Sequence, residues 1–363
     1  MQPSPPLLGS VLITGGCGFL GYTLVDQLLR DPECGTIHVI DRVISHNRHD
    51  GVSYSQGSIT DRVLMRQVFD DVQPTVVFHL ASPNFSFPTK GRGDFYETNV
   101  EGTKLLLELS AESPSVKAFV HCSSVDIYAS APHVQVDETH PTLTSYHEEY
   151  ARTKALADNI VLGANGKQLR TVSLRLAHMY GTRDSQQLRV LLDMCAGNKP
   201  LFQLGPGTNL LSVISVDNAA EAHILAAKAL VDPTRCKKGK ADGEAFNISD
   251  GDPVLFWYHT GLFWSTARGR PVRDELIVIP EWLARLVIGI VQWVVWIFTL
   301  GYIEPPTSAS STALSFALEH RTYSSAKARE RLGFEPKANN DEVIRRCVME
   351  ELRRRETKNE SKG

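Results

Sequence analysis

Residues 11–21 read VLITGGCGFLG, a short β-branched run, then glycines at Gly15, Gly18 and Gly21, then Leu20, Leu24, Val25, Leu28 and Leu29 recurring at helical spacing. A glycine-rich turn between a strand and a helix brings the backbone up to a pyrophosphate, whose charge is met by free N–H groups and the positive helix end. Gly15 and Gly18 supply the tight turn and the close approach, with Phe19 and Leu20 opening the helix beside it. Gly21 lets that helix pack on the strand. About twenty residues on, IHVID ends at Asp41, a carboxylate suited to the adenosine ribose hydroxyls and repellent to a 2′-phosphate. NAD is therefore expected, and Arg42 beside it leaves NADP possible.

Working outward, β-branched runs at 11–14, 37–41, 75–80, 118–123 and 171–176 alternate with helical patterns, including Leu105, Leu106 and Leu109 after Asn99. Such alternation predicts an α/β chain built on a Rossmann, doubly wound parallel sheet. From about Met179 the pattern loosens, and the alanine-rich run 216–230 reads as a helix returning to the sheet. The expected division is a dinucleotide-binding domain at 10–178 and 213–232. A smaller, interleaved C-terminal substrate domain takes 179–212 and 245–350, and 356–363 forms a flexible tail.

The segment SYHEEYARTKALADNIV places Tyr150 and Lys154 at i and i+4, on one face of a helix. A phenol titrates near ~10, so work as a base at neutrality requires about 4 kcal/mol of help for the phenolate, for which an adjacent ammonium is the expected source. Such a tyrosine removes the proton from an alcohol whose carbon-bound hydrogen departs as hydride. The preceding strand ends in Ser123 and Ser124, at the carboxyl edge of the sheet where α/β ligands bind. One of these hydroxyls can hold the substrate oxygen. No GxSxG elbow accompanies them, which disfavours a hydrolase. His79 and His121 lie within apolar strands and read as satisfied core histidines, and the role of His147 is open.

Composition excludes several classes. With 38 Lys+Arg against 41 Asp+Glu in 363 residues there is no basic surplus for nucleic acid. Six cysteines without a CxxC pair suggest neither a metal site nor a disulfide framework, and point to a reducing compartment. The stretch after Met1 lacks the basic and apolar regions of a signal peptide. All five tryptophans fall at 257 or later, fitting an apolar pocket, a membrane-facing surface or plain core.

Together TGGCGFLG, Asp41, VFHLAS, TNVEGT, CSSVDIY, YARTK and RLAHMYG resemble the extended short-chain dehydrogenase/reductases. NLLSVISVDNAAEAHILAAKAL and GEAFNISDGDPVLFWYHTGLFW are similar to their 3β-hydroxysteroid dehydrogenase branch, and most to those members that decarboxylate 4-carboxysterols. The similarity spans about residues 10 to 350. It implies Tyr150 as acid/base, Lys154 as its electrostatic partner and ribose ligand, and Ser124 as donor to the substrate oxygen. Cofactor contacts are implied at Gly15, Gly18, Gly21, Asp41, Ile59 and Leu80–Ala81, with Asn99 supporting the site. The implied reaction is NAD-dependent oxidation of a 3β-hydroxyl beside a carboxylate-bearing ring carbon, followed by loss of CO2. Lys90, Arg92 and Arg183 are candidates for holding that carboxylate. Leu176, Thr182 and Ser212–Val213 depart from the family pattern and point to another triterpenoid as an alternative substrate. Other readings are a non-decarboxylating dehydrogenase, a nucleotide-sugar epimerase, opposed by the Trp-rich region, and a cofactor-sensing regulator, opposed by the intact Ser124, Tyr150 and Lys154. A homodimer through helices near 95–111 and 146–163 is expected by analogy.

Residues 286–303 (LVIGIVQWVVWIFTLGYI) contain no charge and reach the lower length of a membrane span. A span would separate the catalytic half from RTYSSAKARERLGFEP (321–336), which resembles a closing element of the same fold. The expectation is a monotopic, membrane-dipping helix at the cytoplasmic face of the endoplasmic reticulum, with a cytoplasmic or lipid-droplet location as the alternative and a buried core helix as the other reading of the segment.

Overall fold

In the computed structural model, residues 6–83, 93–129, 131–143, 148–184, 187–299, 310–337 and 339–360 are described. Seven parallel strands form the central sheet: β1 (Val11–Thr14), β2 (Ile37–Asp41), β3 (Ser53–Gln56), β4 (Val76–His79), β5 (Ala118–Ser124), β6 (Arg170–Leu176) and β7 (Glu244–Ile248). Their spatial order is 3-2-1-4-5-6-7. The order reverses between β1 and β4, which opens a crevice at their carboxyl ends, where ligands of doubly wound folds bind.

Helices cover both faces. Helix α1 (Phe19–Leu29) begins immediately after Gly18 and buries Leu24, Val25 and Leu28. α2 (Arg62–Val72) starts at Asp61, whose carboxylate accepts from the amides of Val63 and Leu64, an ordinary N-cap. α3 (Thr103–Glu112) follows a π-helical turn, Glu97–Gly102, that carries Asn99. α4 (Glu149–Gly163) carries Tyr150 and Lys154, and α5 (Val216–Val231) packs its alanine face on the sheet and on α1.

The cap has its own small sheet, ordered Val254–Leu255, Leu210–Leu211, Arg321–Tyr323, His133–Val136. Its core joins helices Gln187–Cys195, Phe256–Arg268 and Asn340–Glu360 through Leu191, Trp257, Phe263, Trp264, Ile344 and Val348.

Three expectations shift. Residues 245–248, assigned to the cap by sequence, belong to the last strand of the main sheet, because β7 pairs with β6 throughout its length. Residues from 356, expected as a tail, continue the final helix to Glu360, with Arg355 tied to Asp193 at 2.8 Å and to Glu351. The tryptophans divide: Trp257 and Trp264 are core, their indole N–H groups donating to Ala317 and Leu191 carbonyls, whereas Trp282, Trp293 and Trp296 are exposed. Those three lie on helix Glu281–Thr299, whose one buried residue is Ala284. Over the described residues 281–299 the alternative of a buried core helix does not hold. The chain beyond it returns to the cap sheet at Arg321–Tyr323 and to the main domain at helix Ala326–Leu332. All six cysteines are free thiols.

Candidate active site

The crevice is a cleft of about 380 Å³ running from Asp41 to the cap. At its outer end, Gly15 has φ +74°, and a Cβ there would stand 2.9 Å from the backbone of Ala81. A Cβ on Gly21 would stand 2.3 Å from the Gly15 carbonyl oxygen. These positions need glycine, and the cradle they leave fits a dinucleotide's pyrophosphate. Asp41 is oriented by the Cys17 amide, which donates to Oδ2 at 3.0 Å, and by the Val43 amide on Oδ1 at 3.3 Å. Phe19, Leu20, Arg42, Ile59, Leu80 and Ala81 line the same stretch, as expected from sequence. The residues present fit NAD.

Asn99, expected to support the site, does not itself line the cleft and makes no cofactor contact there. Its side chain turns behind α4 and donates to Thr153 Oγ1 at 3.0 Å. It ends a buried relay that starts on the glycine-loop strand: Thr14 Oγ1 contacts His79 Nδ1 at 2.8 Å, His79 Nε2 contacts Thr103 Oγ1 at 2.9 Å, and Thr103 donates to the Asn99 carbonyl at 2.5 Å. Burial pushes the His79 imidazole down to about 3, which keeps it neutral. His79 is thus the satisfied core histidine that sequence predicts. His121 is equally buried and also held neutral by burial, but among the described residues neither ring nitrogen has a partner, so the expectation of satisfaction is not met there.

At the inner end, Ser124, Tyr150 and Lys154 converge on the cleft from β5 and α4. Ser124 Oγ donates to Asp126 Oδ2 at 3.0 Å, accepts from the Asp126 amide at 3.1 Å, and is hydrogen-bonded to the Tyr150 phenol. Lys154 Nζ donates to the Cys122 carbonyl at 2.5 Å, and burial lowers its pKa. The phenol is pushed up, first by burial, then by the charge of Asp126, with the Ser124 hydrogen bond acting against both. Asp126 was missed from sequence although it stands two residues after Ser124. Replacing it with Asn removes an anion that disfavours the phenolate, so the rising limb of the kcat/KM–pH profile should move to lower pH. An unshifted limb would remove Asp126 from control of the phenol.

The cap closes the inner end with His178, Leu211, Ser212, Phe316, Arg321 and Tyr323. Among the sequence candidates for a carboxylate ligand, Arg183 donates to Asn47 Oδ1 at 2.7 Å and lies over the Tyr22 ring at 3.8 Å, outside the cleft wall. Lys90, Arg92 and His147 fall outside the described residues.

A glycine-cradled cleft on a seven-stranded doubly wound sheet, with Ser, Tyr and Lys at its floor, defines the class of the short-chain dehydrogenases. The family model for the 3-beta hydroxysteroid dehydrogenase/isomerase family matches residues 12–270, and the chain belongs to that family. It is similar to the decarboxylating sterol-4-alpha-carboxylate 3-dehydrogenases of Gibberella zeae (33% identical, 80% of this chain, 95% of the relative) and Schizosaccharomyces pombe (29% identical, 94% of this chain, 97% of the relative). Among solved structures, the dTDP-glucose 4,6-dehydratase of Bacillus anthracis in complex with NAD shares the fold. Its TM-score is 0.67 at 21% identity, covering 93% of this chain and 95% of the other.

Proposed function

We propose that the chain oxidises the 3β-hydroxyl of a 4-carboxysterol, or of a related triterpenoid, to the 3-ketone with NAD, and that the C4 carboxylate then leaves as CO2. The observation that carries this reading is the meeting of Ser124 and the Tyr150 phenol on the floor of a dinucleotide-fitting cleft in a chain of this family. The similarity to decarboxylating sterol-4-alpha-carboxylate 3-dehydrogenases supports the substrate class.

In this reading the backbone at Gly15, Gly18 and Gly21 receives the pyrophosphate and Asp41 the adenosine ribose, while Lys154 serves the other ribose. When bound, NAD supplies the acceptor for the hydride from the carbinol carbon and a positive ring charge beside the phenol. Ser124 holds the substrate oxygen and Tyr150 removes its proton. The ketone makes the product a β-keto acid, whose C–C bonding pair passes into an enolate as CO2 departs. The same two hydroxyl groups then lie beside the oxygen that takes up the charge. Incubation with NAD and a 4-carboxysterol should release NADH and CO2 in equal amounts. NADH without CO2 would leave a plain hydroxysteroid dehydrogenase, and neither product would reject the proposal.

We also propose that helix Glu281–Thr299 lies in the cytoplasmic face of the endoplasmic-reticulum membrane. Its outward residues include Trp293 (67% exposed), Trp296 (59%) and Phe298 (83%), an apolar face that water disfavours and a lipid monolayer accepts. Carbonate-washed microsomes should retain the wild type, accessible to added protease, and lose a Trp293→Glu, Phe298→Glu variant. Wild type released by salt alone would refute it. For the expected homodimer, exposed Tyr96 and Leu156 on the neighbouring helices offer apolar contact area. A monomer by sedimentation in detergent would refute that pairing.

A further inference from the structure

We infer that Arg321 holds the substrate's carboxylate and so orients the ring whose hydroxyl meets Tyr150. The inference rests on the proposed reaction. Arg321 opens a cap strand, with its carbonyl fixed by the Ser212 amide at 2.8 Å and its strand paired on both sides. Its side chain enters the inner end of the cleft. There the guanidinium lies 5.2 Å from the centroid of the Phe316 ring, Nη2 donates to Ser315 Oγ at 3.2 Å, and a further hydrogen bond joins it to Tyr323. Among the described residues Nε, which is hidden from solvent, has no acceptor, and no carboxylate forms an ion pair with this arginine.

The other charges at this end are already engaged. Lys154 is held by the Cys122 carbonyl, Asp126 by the Ser124 hydroxyl, and Asp184 by the amides of Gln187 and Leu188 at 3.0 Å. A buried guanidinium N–H without an acceptor is costly, and a carboxylate is the anion whose two oxygens match its fork. Phe316 fixes the plane of that fork, and apolar Leu211 beside it keeps the local dielectric low, which strengthens the pair. Tyr323 feels the charges of both Asp126 and Arg321, so the two opposite charges share one wall of the cleft. The carboxylate at C4 is one carbon from the hydroxyl that Ser124 holds, so Arg321 has to offset the Asp126 charge for a hydroxy acid to bind at this wall. The same wall discriminates against neutral 3β-hydroxysteroids, because they leave the arginine unpaired.

The test compares a 4-carboxysterol with its methyl ester on the full-length protein with NAD. Wild type should favour the acid about 10- to 100-fold in kcat/KM, chiefly through KM. Arg321→Gln should erase most of that preference and Arg321→Lys should keep part of it. NADH fluorescence reports whether each variant is folded; if Arg321→Gln fails that check, the wild-type ratio and Arg321→Lys decide. No acid preference in the wild type, or an unchanged preference in the variants, overturns the inference. Equilibrium binding of the acid to the NADH-loaded protein separates the two proposals. Turnover without Arg321 dependence keeps the reaction and discards this role. Binding that depends on Arg321 without turnover does the reverse, and absence of both discards both.

Discussion

Tyr150→Phe should lower kcat by about 10²–10⁴-fold, the usual worth of a positioned acid/base, while NADH binding stays near that of the wild type. The substitution removes one oxygen and keeps the ring that packs edge-on against Phe95 at 5.9 Å. The helix start and the cleft wall are therefore preserved, and the loss reports chemistry rather than folding. The phenol stands on the first turn of α4, within hydrogen-bond contact of Ser124. Its pKa is raised in the protein alone, so activity should climb with pH as the phenolate fraction grows. Steady-state rates over pH, together with NADH fluorescence titration, check both halves. Turnover at the wild-type level in Tyr150→Phe would end its assignment as the base.

Arg175→Met should cost about 3–5 kcal/mol of stability, the penalty for leaving a buried carboxylate without its partner. Asp158, fully buried on α4, accepts from Arg175 Nη2 at 2.7 Å and from Ser173 Oγ at 2.5 Å. Arg175 also donates to Tyr128 Oη at 2.9 Å, and Tyr128 in turn donates to Asn247 Oδ1 at 2.6 Å. This network fastens the catalytic helix to β5's following turn, β6 and β7. Pairing the change with Asp158→Leu removes both charges, so the double variant should recover much of the loss. Urea unfolding of the single and double variants measures it. A double variant no more stable than the single one would show that the charge imbalance is not the cause.

The sequence is most legible where burial is two-sided. β1, β2, β4, β5 and β6 are β-branched runs whose residues are almost wholly buried, and their edges fall within a residue or two of expectation. β3 escapes because SYSQ is polar and half-exposed at the sheet edge, and β7 because EAFNI has no helix-strand rhythm around it. The glycine cradle and the Tyr150–Lys154 spacing are readable because their function depends on local register. Arg321, Phe316 and Leu211 are not, since strands of two or three residues and the eight-residue helix Ser311–Leu318 carry little period, and only the folded cap brings them into the same cleft as Tyr150. Lys154 shows another limit: spacing puts it on the correct face, but which oxygen its ammonium meets is decided by Cys122 on a neighbouring strand.

The relay from Thr14 through His79 and Thr103 to Asn99 and Thr153 is built from hydroxyls, an amide and one imidazole, and His79 is the one member that titrates, pushed down to about 3 by burial. Its pattern of donors and acceptors is thus the same at neutral pH as in mild acid. The platform beneath α4 behaves as a pH-blind scaffold, and titration curves of turnover can be assigned to the groups facing the cleft without correction for movement underneath them.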